Sequence, residues 1–505
     1  MTPLIHAVGF LVRMSHSIFG SVVVVVGGVQ VPALLMTENG APSSHSQPID
    51  GTKEPTYSRM AFSGGIMALY SHTRRAAFAA VLVVSLLVAM ASPGWAEAGD
   101  LDPTFGHKGI VVTPGLGGIF AIALQPDGKI VAAGTSTRHP TFSVANFTVV
   151  RYEADGTLDR GFGGGGIVIT RVGERTSWAR AVALQADGKI VVAGVALAPN
   201  GVEGDVALAR YNPNGSLDPG FGEGGRVITS FPSGASGAWG VAVQADGRIV
   251  AGGAASARED IYTPDFALAR YTAGGSLDAS FGDGGLKVTR FPGGSSYGRA
   301  LVIQPDGRIV LAGGTDPGRF ALARYEPDGR LDQGFGAEGR VSQDIDGDLE
   351  GARAVALQPD GKIVAAGGAL APGGENAFAL ARFDPTGQPD PRFGGDGDVL
   401  SVLPGGGGAA GLAIQPDGKI VVAGEANGDL IESTGDFALG RYLPDGRLDP
   451  AFGNGGIVIT SLGSRVDVTF DVAIQPDGRI VAAGRASGNA SGTRSGFGLV
   501  GYLGT

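Results

Sequence analysis

The sequence contains no cysteine, which excludes disulfide bonds, thiol catalysis and metal sites that use cysteine ligands. Histidine is also scarce, since four of the six histidines precede residue 97 and only His107 and His139 follow it. Residues 97–505 therefore offer few histidines for a metal site with several histidine ligands or for a Ser-His-Asp arrangement. No long segment shows helical periodicity, and the 89 glycines indicate many turns between short strands.

Positive charge is scarce relative to negative charge. The chain has 38 Lys and Arg against 48 Asp and Glu, a net charge of −10. The first 96 residues carry five basic and three acidic side chains, so residues 97–505 alone have a net charge of −12. An acidic chain without a basic block is a poor match for nucleic acid. We therefore expect no nucleic-acid partner.

The first hundred residues differ in composition from the rest. From Thr73 the chain reads TRRAAFAAVLVVSLLVAMASPGWAEAGD, with a basic pair, an apolar run and small residues before a cleavage site after Ala96. This order is typical of a secretory signal, which we assign to residues 67–96. It predicts a secreted, periplasmic or cell-surface protein with no stable membrane span after cleavage. A retained membrane anchor is the alternative interpretation of the apolar run.

The position of this signal is unusual, because a signal peptide belongs at the start of a chain. We expect the natural start to be Met60 or Met67, and residues 1–66 to be a non-native or disordered extension. The competing interpretation treats residues 17–36 as a membrane span, although their glycines and Pro32 disfavour it.

Beyond the signal, three phrases recur seven times in step. One is seen in IQPDGKIVVAG at residues 414–424, one reads LDxxFG, and one resembles FALARY. The aspartates of the first phrase are Asp127, Asp187, Asp246, Asp306, Asp360, Asp417 and Asp477. Each unit contains four short alternating or β-branched segments, exemplified by GIVIT, AVALQ, KIVVAG and VALARY in the second copy.

Seven four-stranded units predict an all-β fold, a seven-bladed β-propeller of four-stranded antiparallel blades over residues 97–505. An open β-solenoid is the alternative, but it would need capping units that the repeats do not provide. The three phrases together resemble the delta-60 repeat family, bacterial β-propeller repeats of a domain of unknown function. The resemblance covers residues 101–502. It implies a propeller and export, and it implies no activity.

The repeated polar residues have a structural explanation. QPDGK is typical of a tight hairpin turn, of type I with a glycine bulge. The arginine of each FALARY copy and the aspartate of each LDxxFG copy are expected to pair within or between blades, or the aspartate caps turn amides. A ring of equivalent acids and bases is a poor catalytic site, because catalysis needs one asymmetric constellation. An anion-binding arginine ring is the functional alternative.

The alternating strand direction sorts the loops onto two faces. The QPDGK turns and the LDxxFG connectors share one face, which is nearly uniform between copies. The other loops vary in length and chemistry, and binding residues concentrate on variable loops carried by a rigid scaffold. We therefore expect any binding site on the variable face.

Aromatic residues on the variable face are the first candidates for a ligand site. Trp178, Trp239 and Tyr297 occur there, with Arg180 and Arg299 nearby. Aromatic rings beside polar groups suit contact with a glycan or a protein. The alternative is that these rings fill the space between blades.

An acidic stretch, DIDGDLEG, supplies the second candidate. Asp344, Asp346, Asp348 and Glu350 alternate as in a cation-binding loop, and calcium requires several oxygen ligands on a tight turn. Its glycine departs from EF-hand spacing. Calcium is thus the one cofactor that the sequence suggests, and a solvated acidic loop is the alternative.

The leading functional hypothesis is an exported, non-enzymatic and monomeric β-propeller that binds a protein or a glycan through its variable face. A hydrolase or lyase acting on polysaccharide is the alternative from another class, but the sequence does not single out the carboxylate pair that such an enzyme requires. A purely structural cell-surface protein is the third hypothesis.

Overall fold

The computed structural model describes residues 21–26, 29–34 and 96–505, the last range with gaps at residues 138–144, 199–200, 202–203, 233, 258–259, 346–350, 430–433, 464–466 and 488–494. The predicted signal peptide therefore lies outside the described residues except for Ala96. The predicted extension of residues 1–66 is described only in its two strands.

The chain divides into two compact units, Met1–Met90 and Ala91–Thr505. In the first unit, strands β1 (Ser21–Val26) and β2 (Val29–Leu34) form an antiparallel hairpin. Among the described residues, we find no helix of the length and apolar character needed to cross a membrane.

The second unit contains seven four-stranded antiparallel sheets, which confirms the predicted seven-bladed β-propeller. Blade 1 consists of β4 (Ile119–Leu124), β5 (Ile130–Thr137), β6 (Ala145–Tyr152) and β7 (Ile167–Thr170). Blade 2 consists of β8 (Ser177–Leu184), β9 (Ile190–Leu197), β10 (Gly204–Tyr211) and β11 (Arg226–Thr229). Blade 3 consists of β12 (Ser236–Val243), β13 (Ile249–Ala257), β14 (Asp260–Tyr271) and β15 (Leu286–Thr289).

The remaining blades repeat this order. Blade 4 consists of β16 (Ser296–Ile303), β17 (Ile309–Thr315), β18 (Arg319–Tyr325) and β19 (Arg340–Gln343). Blade 5 consists of β20 (Ala352–Leu357), β21 (Ile363–Leu370), β22 (Asn376–Phe383) and β23 (Asp398–Val402). Blade 6 consists of β24 (Ala409–Ile414), β25 (Ile420–Asp429), β26 (Thr434–Tyr442) and β27 (Ile457–Thr460). Blade 7 consists of β28 (Asp467–Ile474), β29 (Ile480–Ser487), β30 (Ser495–Tyr502) and β3 (Ile110–Pro114).

Blade 7 closes the ring with a strand from the other end of the repeat array. Strand β3 pairs antiparallel with β30, so the first repeat strand completes the last blade. Leu101 also bridges Tyr502, as Leu158 bridges Tyr152 within blade 1. The four strands of one sequence unit therefore do not form one blade, because the GIVIT segment of each unit is the outermost strand of the preceding blade.

The first strand of each blade lies innermost. The strands β4, β8, β12, β16, β20, β24 and β28 each contact the next, and β28 contacts β4. These seven strands therefore surround the central tunnel, and the outermost short strands form the rim.

The hydrophobic core lies between adjacent blades. Seven buried clusters occupy the seven seams, and the one between blades 1 and 2 joins Val149 and Phe147 to Val192 and Tyr211. The second strand of each blade is packed on both faces, as its continuous apolar sequence predicts. Burying one such large side chain contributes roughly 1.5–3 kcal/mol.

The QPDGK segments form the predicted turns. In blade 2, the Gly188 N–H donates to Gln185 O and the Gln185 N–H donates to Lys189 O, both at 2.9 Å. Gly188 has a φ of 81°, a conformation that favours glycine. The turn is therefore a type I turn closed by a glycine bulge.

The recurring arginine and aspartate pair within six of the seven blades and also join neighbouring blades, as predicted. In blade 2, Arg210 Nε lies 2.9 Å from Asp218 Oδ2, and Asp218 Oδ1 accepts the Gly220 N–H at 3.0 Å. Arg210 Nη1 donates to Ala273 O of blade 3, and its guanidinium stacks 4.5 Å from the centre of the Phe221 ring. Equivalent ion pairs join Arg151 to Asp159, Arg270 to Asp278, Arg324 to Asp332, Arg382 to Asp390 and Arg441 to Asp449.

The lysine or arginine after each turn glycine reaches the same aspartate. Arg248 Nε lies 2.9 Å from Asp278 Oδ2, and Lys129 Nζ lies 3.0 Å from Asp159 Oδ2. This second cation explains why every copy of the turn ends in a basic residue, and it makes the repeated charges part of the scaffold.

The seam between blades 7 and 1 lacks the arginine. Gly501 occupies its position, and Asp102 pairs instead with Arg479 at 3.0 Å. The Gln475 side-chain amide donates to Ala154 O of blade 1 at 3.0 Å, the contact that an arginine makes to the next blade elsewhere in the ring.

Candidate functional site

The predicted aromatic and arginine side chains lie together in one pocket. Its volume is about 460 Å³, and it lies where the inner strands of blades 2, 3 and 4 begin. Its lining consists of Trp178, Arg180, Val195, Leu197, Gly204, Ala235, Ser236, Trp239, Ala254, Ser256, Pro264, Tyr297, Gly298 and Arg299. Leu197 and Gly204 flank the β9–β10 loop, so this tunnel-mouth pocket opens on the variable face, as predicted.

A β-bulge in each inner strand aims the pocket side chains. In blade 2 the pairing between β8 and β9 skips Arg180, and in blade 3 the pairing between β12 and β13 skips Trp239. A bulge bends its strand and redirects the unpaired side chain. The bulged residues around the ring are Phe120, Arg180, Trp239, Arg299, Arg353, Ala410 and Phe470.

Sequence reasoning missed four members of this ring, Phe120, Arg353, Ala410 and Phe470. A signal for them exists, because each bulged residue lies five positions before the glutamine that opens a turn such as QPDGK. Aligning the copies on that glutamine gives Phe, Arg, Trp, Arg, Arg, Ala and Phe in this column, whereas the next position is alanine or glycine in six of the seven copies. Such variation beside a nearly uniform position marks a residue that the scaffold does not constrain.

The bulged side chains of neighbouring blades contact each other. The Arg180 guanidinium lies 4.2 Å from the centre of the Phe120 ring, and the Phe120 and Phe470 rings lie 4.9 Å apart. On the other side of the pocket, the Arg299 guanidinium lies 5.1 Å from the Tyr297 ring centre and 5.7 Å from that of Trp239. Stacking holds the flat faces of both guanidinium groups against aromatic rings.

Two arginines line the pocket. Burial lowers the pKa of Arg180, and the nearby charge of Arg299 lowers it further. Arg180 Nε is buried and has no hydrogen-bond partner among the described residues, a state that it shares with the scaffold residues Arg270 and Arg382. The described lining also contains no carboxylate. Guanidinium groups in a concave site are suited to an anionic partner.

An acidic residue lies elsewhere on the inner ring. Asp471 of β28 accepts the Ile122 N–H of blade 1 at 2.8 Å through Oδ2 and the Val472 N–H at 2.8 Å through Oδ1. Desolvation raises its pKa to about 6, against the opposing effect of these two donors. The equivalent positions in the other six blades are alanine or glycine, so Asp471 is specific to the seam that closes the ring.

The predicted calcium residues are described only in part. Asp344 is exposed, and its Oδ2 lies 3.1 Å from Arg319 Nη2. Asp346, Asp348 and Glu350 lie outside the described residues. Within the described part of the chain, no group of three or more acidic or histidine side chains is arranged to hold a metal ion. The calcium site stays a prediction.

Comparison with known families agrees with the repeat count. The model of a family described as a domain of unknown function (DUF5122) beta-propeller matches residues 125–162, 185–221, 244–281, 304–335, 358–393, 415–452 and 475–497. These seven matches support a β-propeller family of unknown function. The family description names no activity, so the chemistry of this chain has to be argued from its own pocket.

Solved structures with a similar fold are distant. A protein of unknown function from Dyadobacter fermentans is 12% identical, covering 78% of this chain and 99% of that one, with a TM-score of 0.40. A glucose dehydrogenase is 14% identical, covering 77% and 99%, with a TM-score of 0.36. An α-L-arabinofuranosidase from Fusarium graminearum in complex with an iminosugar inhibitor is 10% identical, covering 80% and 96%, with a TM-score of 0.36. None of these informs the function of this chain. No curated protein matches it.

The chemical groups that line the tunnel-mouth pocket are suited to contact with a ligand. Its described lining offers three aromatic rings, two guanidinium groups and two serine hydroxyls. Arginine stays protonated and does not act as an acid or base near neutral pH. The pocket therefore suits stacking and anion recognition.

Proposed function

We propose that this protein is an exported, monomeric and non-enzymatic β-propeller that binds a glycan or a protein in its tunnel-mouth pocket. We also propose that its sixty-residue units are the delta-60 repeats that the sequence resembles. The signal-like segment at residues 67–96 supports export.

The observation that carries the proposal is the convergence of Trp178, Trp239 and Tyr297 on one pocket. Three inner strands from successive blades supply these rings, and the bulges orient the side chains beside them. Aromatic residues and arginine dominate the binding energy of recognition sites, because they combine large apolar area with directed polar groups.

The opposite face of the ring supports the same assignment. Its aspartates, lysines and arginines pair with each other in copy after copy, so they have a structural role. The variable face carries loops of different length on a rigid ring, the arrangement in which binding sites are usually found.

The pocket favours binding over hydrolysis. Glycoside hydrolases place two carboxyl groups on opposite sides of the scissile bond, about 5–10 Å apart. The described lining of the tunnel-mouth pocket has no carboxyl group. A polysaccharide hydrolase or lyase would therefore need a site in another part of the molecule.

The experiment that tests the proposal is a combined glycan and peptide array probed with the full chain. Trp178→Ala and Trp239→Ala are compared with Ile228→Ala, which removes an exposed apolar side chain from the rim strand β11. We expect binding that both tryptophan variants lose and Ile228→Ala keeps. A silent array, or signals that the tryptophan variants retain, would contradict a pocket-based binding function, and turnover of a glycan would identify an enzyme.

A further inference from the structure

The start of the exported chain has a structural role in blade 7, provided that the protein is exported as proposed above. We propose that cleavage between Ala96 and Glu97 creates an α-ammonium group that pairs with the Asp100 carboxylate and fastens the new amino terminus to the ring. The ring thus determines both the processing site and the partner of the new terminus.

The connector between β30 and β3 is divided between two parts of the chain. In blade 1 the equivalent connector is continuous, and the Glu153 N–H donates to Thr157 O at 2.7 Å. In blade 7 the Leu503 N–H donates to Asp100 O at 2.9 Å, and the Gly99 N–H donates back to Leu503 O at 2.7 Å. The residues around Gly99 therefore complete, from the other end of the repeat array, a turn that one continuous segment forms in each of the other blades.

A second contact joins this segment to blade 6. The Gly453 N–H donates to Ala98 O at 2.9 Å, as the Gly163 N–H donates to Asn214 O at 2.8 Å between blades 1 and 2. The Ala98 side chain also packs against the buried cluster between blades 6 and 7. Loss of Ala98 would therefore remove a hydrogen bond and an apolar contact that hold this seam.

The same segment distinguishes between two candidate cleavage sites. A signal peptidase requires small residues at the first and third positions before the cut, and both GWA at residues 94–96 and AEA at residues 96–98 meet this requirement. The bond after Ala96 joins two exposed residues, whereas the bond after Ala98 leads to a buried glycine. A cut after Ala98 would also remove the contacts of that residue with blade 6. The fold therefore favours the bond after Ala96.

The new amino terminus would lie beside a carboxylate. Glu97 N lies 2.8 Å from Asp100 Oδ2 and donates to it. Hydrolysis of the bond after Ala96 gives the water oxygen to the Ala96 carboxylate and leaves Glu97 N as an ammonium group. A neutral N–H donor is thereby replaced by a cation, and a charged donor strengthens its hydrogen bond to a carboxylate.

An acid at the position of Asp100 is specific to the divided connector. The equivalent positions in the six continuous connectors are Thr157, Ser216, Ser276, Arg330, Gln388 and Arg447. The position of Glu97 is proline in four of those connectors and therefore has no N–H there. A backbone N–H followed three residues later by a carboxylate thus occurs at this place in blade 7 and in no other connector of the repeat.

The first test locates the cleavage site. The full chain is produced in a bacterial host, and the amino terminus of the exported protein is determined by mass spectrometry. We expect this terminus at Glu97. Any other terminus on the exported protein would overturn the assigned site and its ammonium pair, whereas an uncut chain retained in the cytoplasm would contradict the export on which the proposal rests.

Hydrogen exchange measures the pair itself. The exchange of the Gly99 and Leu503 amides is followed by mass spectrometry of the terminal peptides, in the processed chain and in Asp100→Asn. We expect about two- to fivefold faster exchange in the variant, the effect of losing one exposed ion pair. Asp127→Asn makes the same change in the exposed turn of blade 1 and should leave this exchange unaltered.

A second variant separates the charge of the terminus from a purely structural role of Asp100. Glu97→Gln at the new terminus is converted by glutaminyl cyclase into a lactam, which keeps an N–H but carries no positive charge. The cyclised variant should exchange as fast as Asp100→Asn, and the uncyclised variant should behave as the natural chain. Unchanged exchange in both Asp100→Asn and the cyclised protein would overturn the ion pair. Faster exchange in Asp100→Asn alone would overturn the role of the new terminus.

Discussion

Arginines occur in two contrasting environments of this propeller. Arg210 on the uniform face stacks on Phe221, pairs with Asp218 and donates to the carbonyl of Ala273 in the next blade. Arg180 on the variable face stacks on Phe120 in a similar way, yet its Nε has no partner among the described residues. An arginine stacked on a phenylalanine thus has its donors paired within the protein in one place, at Arg210, and has an unpartnered Nε in the other, at Arg180.

The difference separates residues that hold the ring together from residues that are available to a ligand. A buried arginine whose donors are all accepted within the protein stabilises the fold and has little left to offer. Arg180 packs on Phe120, but its Nε has no acceptor among the described residues, whereas that of Arg210 has Asp218. Substitutions on the uniform face should therefore change stability, and substitutions in the tunnel-mouth pocket should change ligand affinity.

The largest effect is expected from removing a scaffold carboxylate. Asp218→Ala leaves Arg210, whose side chain is 8% exposed, without its counter-ion, and it also removes the cap on the Gly220 N–H. We expect a loss of about 3–5 kcal/mol in the free energy of unfolding, because an uncompensated buried charge is costly. Urea denaturation measures the loss, and ligand affinity should not change.

A matched control is Asp187→Ala in the turn of the same blade. Asp187 is 54% exposed and pairs with Lys189 at the surface, so its loss should cost less than about 1 kcal/mol. If the two aspartate variants unfold at the same urea concentration as the natural chain, the scaffold network has no stabilising role.

The next effect concerns the seam where the arginine is missing. Gly501→Ala would place a methyl group 2.5 Å from Phe105 Cγ, with backbone that cannot move freely because β30 pairs on both sides. We expect a destabilisation of about 1–3 kcal/mol from overpacking. Gly115→Ala provides a comparison, since its added methyl group would meet no atom within 4 Å but its φ of 83° is strained. A stabilised Gly501→Ala protein would show that the gap left by the arginine is not filled by Phe105.

The raised pKa of Asp471 predicts a smaller effect on stability. The dependence of this effect on pH is opposite to that of the scaffold aspartates. Its folded pKa of about 6 lies above the ordinary value of 3.8, so the folded state binds more protons between these pH values. Stability from this group is therefore greatest below about pH 4 and falls as the pH rises to about 6. The pKa of Asp218 is lowered, so its contribution is present above pH 4 and is lost only at more acidic pH.

The measurement is the unfolding free energy of the natural chain and of Asp471→Asn from pH 4 to pH 7. Asparagine keeps a neutral acceptor for the Ile122 N–H and does not titrate. We expect the difference between the two proteins to change across this range in favour of the variant as the pH rises. Parallel curves would contradict the raised pKa.

The sequence alone was sufficient for the features that depend on local repeats. Seven Asp-Gly turns give the number of blades, and the recurring arginine and aspartate predict their own pairing because both recur at one spacing. It did not show where a blade begins, since shifting the unit by one strand leaves the pattern of a tandem repeat unchanged. The strand order within the sheets reveals the offset, most directly where β3 completes blade 7 beside β30.

The tunnel-mouth pocket was predictable in part. Trp178, Trp239 and Tyr297 were recognisable as outliers on the variable face. The bulges were not predictable, because one extra residue in an inner strand does not give that strand a recognisable composition. They decide which side chains meet, and they bring Phe120 of blade 1 against Arg180 of blade 2.

The most direct test of the contrast between the two faces measures both stability and affinity for the same pair of variants. Arg210→Gln and Arg180→Gln remove one arginine from each environment, and both variants are compared with the natural chain by urea unfolding and by titration with the ligand that the array identifies. Arg210→Gln should lose several kcal/mol of stability because it leaves Asp218 buried without its main partner, and it should keep its affinity. Arg180→Gln should keep its stability within about 1 kcal/mol and lose at least about tenfold in affinity. Equal losses of stability in both variants would contradict this division between scaffold and binding residues. An Arg180→Gln protein that is destabilised and binds unchanged would contradict it as well.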